Sequence, residues 1–222
     1  MTNEQKRATM KKQNRNLGLL CMLLVPLTLL FGLIGSKYNV DGWYRSISAN
    51  FYTNAKPFMI VGIGAMAILF YSYEGYDKID KIITNIACGA GIGILAFPCD
   101  WEGADVTQIL FPFIGLGVSH VLHCISAITL FVTFGAMVGW RFTRHKGIMT
   151  IRKMRRNVVY YSCAVVIAIF LIMQIITSVA GIGWFTIVNE FFMLEAFGFA
   201  WLVKGEAIPF FNDRKVEVVD LA

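Results

Sequence analysis

Val158-Val-Tyr-Tyr-Ser-Cys-Ala-Val-Val-Ile-Ala-Ile-Phe-Leu-Ile-Met-Gln-Ile-Ile-Thr-Ser-Val-Ala180 runs for 23 residues without a lysine, arginine, aspartate or glutamate. At 1.5 Å of rise per residue such a helix covers about 34 Å, enough to cross the hydrocarbon core of a bilayer. Directly before it stands the basic cluster Arg152-Lys-Met-Arg-Arg156. The same alternation of apolar run and charged island recurs along the chain and predicts six spans: Leu17–Gly35, Pro57–Tyr73, Ile82–Pro98, Gly115–Trp140, Val158–Ala180 and Trp184–Val203. The first of these follows a basic segment but is too long for the apolar part of a signal peptide, and it reads as a retained helix. Across the 222 residues, 57% are apolar and 15% charged, with a mean hydropathy of +0.62. A soluble domain carries about 25% charged residues, so a conventional water-facing globule is excluded.

The basic residues orient these spans. Seventeen of the 20 Lys and Arg fall in the N-terminal segment, the 74–81 connection, the 141–157 loop and the C-terminal tail, leaving Lys37, Arg45 and Lys56 for the other side. Because the positive-rich side stays in the cytoplasm, both termini are predicted inside and the 36–56 and 99–114 segments outside. The expected architecture is an all-α polytopic bundle of six transmembrane helices, N-in and C-in, in the cell membrane. It comprises a basic segment 1–16, a membrane domain 17–203 and a tail 204–222. The net charge of +6 is then a topology signal. The 141–157 loop is expected to meet anionic lipid headgroups and no nucleic acid. Nothing in the sequence sets an oligomeric state. Five cysteines, four of them inside spans, read as free thiols. Gly62, Gly64, Gly89, Gly91, Gly93, Gly135 and Gly139 provide small faces for helix packing, and Trp43, Tyr44, Trp101, Trp140, Tyr160 and Trp184 fall at span ends as interfacial anchors.

Ionisable and polar groups at membrane depth are costly, which makes them the candidates for function. His120 and His123 stand near the outer start of the fourth span, and Glu190 and Glu195 lie in the sixth. Asp100 caps the outer end of the third span, and Ser46 and Ser48 precede the second on the same side. Together they predict a polar pocket in the outer half of the bundle. His120 and His123, three residues apart, share a helix face and could offer two imidazoles to one cation, with Asp100 or Glu190 as a further ligand. A zinc-dependent hydrolase is therefore one reading of this set. A solute- or proton-handling protein is a second, and a scaffold whose polar groups only fix helix register is a third. Glu190 and Glu195 stand about 140° apart around a helix, so they are not expected to serve one point. Asp77 and Asp80 read as helix-start caps, and Asn85 and Gln174 as links between helices. No H-E-x-x-H, G-x-S-x-G or Cys-x-x-Cys motif occurs.

Several short motifs also occur together: Ser46-Ile-Ser48-x-x-Phe51-Tyr52-Thr53, Tyr73-Glu-Gly75-Tyr76-Asp77 with Asp80 and Asn85, Phe97-Pro98, His123-x-x-Ser126-Ala127, and Glu195-Ala-Phe197-Gly198-x-x-Trp201-Leu-Val-Lys204-Gly205. In these the chain resembles a group of uncharacterised bacterial multi-pass membrane proteins. More distantly it is similar to the alkaline-ceramidase-like membrane hydrolases, a resemblance that implies zinc held by histidines with a serine and an aspartate nearby. That pattern has an early histidine and His-x-x-x-His on a late helix. Here no histidine precedes His120, and the spacing is His-x-x-His.

Overall fold

The computed structural model describes residues 2–34, 42–102, 104–144 and 149–212. Lys37, His145, Lys146, Arg214 and Lys215 lie outside the described residues, as does the tail beyond 212. The described chain is an all-α bundle of α1 (Asn3–Leu33), α2 (Lys56–Tyr71), α3 (Lys78–Ala96), α4 (Gly115–Ala136), α5 (Ile151–Val179) and α6 (Thr186–Lys204), with no strand. Each helix packs chiefly on its neighbours in sequence, and α6 closes the ring against α1.

Five of the helices are long and apolar enough to cross a membrane, α4 with its flanking turns among them. The exception is α2, whose 16 residues cover about 24 Å. At its N-terminal end the chain stays within the bundle, because Ser46, Ile47, Ala49–Thr53 and Ala55 are all buried. Many large apolar side chains face outward, and some polar ones lie inside. Val61, Ile68 and Val179 are 70%, 68% and 86% exposed, whereas Asn50, Thr84 and Ser119 are fully buried. An apolar exterior, with scattered buried polar groups inside a mainly apolar core, suits a hydrocarbon solvent.

Two of the basic islands are helical. A capping box between Thr2 and Gln5 starts α1 well before its apolar run, and Thr150 caps α5 at the Lys153 amide, so Arg152–Arg156 form its first turns. The centre of the bundle is aromatic. Phe134 and Phe197 stack with centroids 3.4 Å apart, Phe70 leans on both, and Trp201 meets Tyr73 and Phe142 edge-on at 5.3 and 4.8 Å.

Not all the glycines serve as expected. A Cβ on Gly93 would lie 2.4 Å from Ser126 Oγ and one on Gly139 2.9 Å from Ala164 Cβ, whereas Gly64 and Gly89 face open space. A seam in which backbone meets backbone joins α1 to α6: a Cβ on Gly198 would meet Met22 at 2.6 Å and the Gly18 carbonyl at 2.9 Å. Gly198→Leu is expected to force these helices apart and cost about 1–3 kcal/mol, read as an earlier unfolding midpoint in detergent. An unchanged midpoint would show that the seam yields freely.

At the positive-rich end, α4 runs into a π turn over Met137–Arg141. This turn delivers Arg141 into the bundle, and there the expectation of a loop cation needs correction. Arg141 is buried, its Nε donating to Asp80 Oδ1 at 2.5 Å and its Nη2 to Asp77 Oδ1 at 2.5 Å. Asp77 also caps α3 at the Ile79 and Asp80 amides, as expected. Asp80 is buried, and its second oxygen accepts from the Tyr76 amide at 2.8 Å. Gly75, with φ of +62°, lets the chain wrap that carboxylate, since a Cβ there would sit 2.3 Å from Asp80 Cβ.

Candidate functional site

At the opposite end the buried 46–55 segment meets α4 and α6. Two short 3-10 turns, Trp43–Arg45 and Ser48–Tyr52, bend it inward. Its backbone polar groups then need partners away from water. Asn50 Nδ2 donates to the Ser46 carbonyl at 3.0 Å, and Thr53 Oγ1 accepts from the Ala55 amide at 3.0 Å. The Tyr52 hydroxyl donates to the Cys99 carbonyl at 2.6 Å, tying the segment to the end of α3.

Glu190, on the first turns of α6, completes this set. Its Oε2 accepts from the Ile47 amide at 2.7 Å and from Ser46 Oγ at 3.2 Å, while Ser48 Oγ stands 3.3 Å from Oε1. On the far side of that hydroxyl, His123 Nε2 lies 3.0 Å from Ser48 Oγ. The other imidazole nitrogen, Nδ1, is 2.9 Å from the Phe97 carbonyl, where Pro98 ends α3. A neighbouring bond from Ser119 Oγ to the Pro98 carbonyl, at 2.7 Å, holds that strand of backbone against α4.

The donors and acceptors in this chain can be counted. A carbonyl only accepts, so Nδ1 of His123 carries a hydrogen. Ser48 has one hydroxyl hydrogen to share between a carboxyl oxygen and Nε2. Two arrangements satisfy every contact. In one, a protonated Glu190 donates to Ser48, which donates to a neutral His123. In the other, an imidazolium donates to Ser48, which donates to a carboxylate. They differ by two concerted hydrogen shifts along Glu190–Ser48–His123, and both are neutral overall.

The structure therefore brings together four of the expected residues, Ser46, Ser48, His123 and Glu190, and places the other three apart. His120 is exposed, its Nδ1 accepting from the Asp100 amide at 3.1 Å and its Nε2 3.5 Å from Cys124 Sγ. The Asp100 side chain is exposed beside Gly42, Arg45 and Glu102. Glu195 faces an apolar groove between α1, α5 and α6, lined by Met22, Cys163 and Phe199. Among the described residues no three His, Cys, Asp or Glu side chains group closely enough to hold a metal ion. In His120 and His123 both ring nitrogens face protein groups. Elsewhere Gln174 does link helices, accepting from Asn189 Nδ2 at 3.0 Å, whereas Asn85 is exposed.

No family model, curated protein or solved structure matches the chain.

Proposed function

We propose that this is a multi-pass cell-membrane protein that handles protons, the chain crossing six times with both termini inside and Glu190, Ser48 and His123 forming a proton relay in its outer half. The observation that carries the reading is the single Ser48 hydroxyl standing between a carboxylate and an imidazole whose other nitrogen is anchored on a backbone carbonyl. Ionisable groups are expensive at this depth, and a shared proton keeps the pair neutral as it moves. Ser46 and the Ile47 amide hold the carboxylate in place while the proton shifts.

The reading is tested with purified protein in liposomes that enclose a pH-sensitive dye. An inward proton gradient should acidify them faster than protein-free liposomes. Equal rates would overturn the proposal.

A second reading, hydrolysis of a lipid or amide, draws on the same 3.0 Å contact between Ser48 and His123, which is nucleophile-to-base spacing. It ranks below the first because Glu190 stands 3.3 Å from Ser48 Oγ, where its negative charge opposes an anionic tetrahedral intermediate. Stoichiometric zinc in the purified protein, lost on His123→Ala, would favour the metal-dependent form of that reading.

A further inference from the structure

The opposite, positive-rich end holds a cavity of about 360 Å³ between the 74–77 turn, the end of α4, the first turns of α5 and the end of α6. At roughly 30 Å³ per water it has room for about a dozen. Four cations line it: Arg144, Lys153, Arg156 and Lys204. Two carboxylates also reach it, one of them paired with the cavity's own Arg144, while Lys153 and Arg156 also donate to the Phe142 and Phe211 carbonyls. Asp77 receives Arg141 and Arg144, each at 2.5 Å, and Glu206 receives Lys11 at 2.6 Å.

Lys204 distinguishes this cavity from a solvated basic surface. Its ammonium lies over the rings of Tyr76 and Phe142, 4.6 and 5.0 Å from their centroids. Among the described residues it has neither a carboxylate partner nor a hydrogen-bond acceptor. Lys204 is half-buried at the cavity, and its ammonium has three N–H donors that call for acceptors. Its aromatic neighbours offer only their faces. Tyr76 and Tyr160 line the same cavity and add phenol donors. An anion rich in oxygen acceptors and small enough for the space would satisfy these donors.

We propose that this cavity binds a phosphate-bearing anion, with Lys204 at its floor and Arg144, Lys153 and Arg156 around it. Guanidinium and ammonium groups together suit a tetrahedral group with several charged oxygens. The phosphate belongs either to a lipid headgroup of the inner leaflet or to a soluble phosphoester. The chemistry at Lys204 is the same for both.

The test uses full-length protein stripped of lipid in detergent, with inorganic pyrophosphate as the soluble probe and phosphatidylcholine vesicles with and without phosphatidic acid as the lipid probe. Binding of at least one probe is expected, with affinity about tenfold weaker in Lys204→Met and largely kept in Lys204→Arg. Pyrophosphate binding assigns the site to a soluble ligand. Binding only to vesicles that carry phosphatidic acid assigns it to lipid. Thermal midpoints of both variants are measured without probe, so that a misfolded Lys204→Met is recognised, and Lys204→Arg then carries the comparison against Arg156→Gln, also expected to bind about tenfold more weakly. No binding of either probe by the parent protein, or equal binding by all variants, overturns the proposal.

Discussion

Arg141→Met is expected to lower stability by about 3–5 kcal/mol, seen as a large fall in the unfolding midpoint in detergent. Arg141 and Asp80 side chains are each only 3% exposed, so removing the cation strands a carboxylate where water cannot replace it. The double variant Arg141→Met with Asp80→Leu should recover much of the loss, because an apolar pair of similar bulk carries no desolvation cost. Full stability in the single variant would contradict the account of this end of the bundle. The neighbouring Asp77 adds a dependence on pH. The hydrogen bond from Arg144, then the Asp80 amide and Arg141, hold its carboxyl well below the usual carboxylate range. In the acid window the unfolded chain therefore binds more protons than the folded one, and stability rises with pH. The contribution is complete above the ordinary carboxylate value of about 4 and is lost as the pH falls through the lower folded value.

The second large effect falls on the relay. Glu190→Gln and Ser48→Ala should each reduce proton entry into liposomes by about a hundredfold, the first by removing an end of the path and the second by opening its middle. Glutamine keeps the acceptor for the Ile47 amide, and alanine leaves Ser46 and Ile47 on the carboxylate, so neither change dismantles the 46–55 segment. Glu102→Gln, at an exposed position outside the relay, should conduct as the parent does. Retained conduction in Ser48→Ala would mean that protons pass by another route.

The helices of the bundle were legible in the sequence for one reason: charge and apolar length separate cleanly along this chain. Polar groups are costly in hydrocarbon, which made Ser46, Ser48, His123 and Glu190 visible as candidates. What local pattern could not show is which partners meet. His120 and His123 are three residues apart, about 60° around a helix, and that angle turns one ring outward and the other into the bundle. Arg141 stands at the edge of a basic island and reads as a loop cation, although its partners lie 61 and 64 positions away. The segment 46–55 looks like an outer connection from its serines and asparagines. It is buried because Glu190, remote in sequence, and the segment's own polar side chains satisfy its backbone. Gly18 and Gly198 belong to different helices, and neither helix alone displays the seam they make.

The central claim is that Glu190 and His123 share one proton through Ser48. Infrared difference spectroscopy over a pH titration follows the carboxyl and imidazole bands separately, with Glu190→Gln identifying the first and His123→Phe the second. The account predicts that both bands change in step at one midpoint in the parent protein and separate into two independent transitions in Ser48→Ala. Independent transitions already present in the parent, or bands that Ser48→Ala leaves in step, would contradict it.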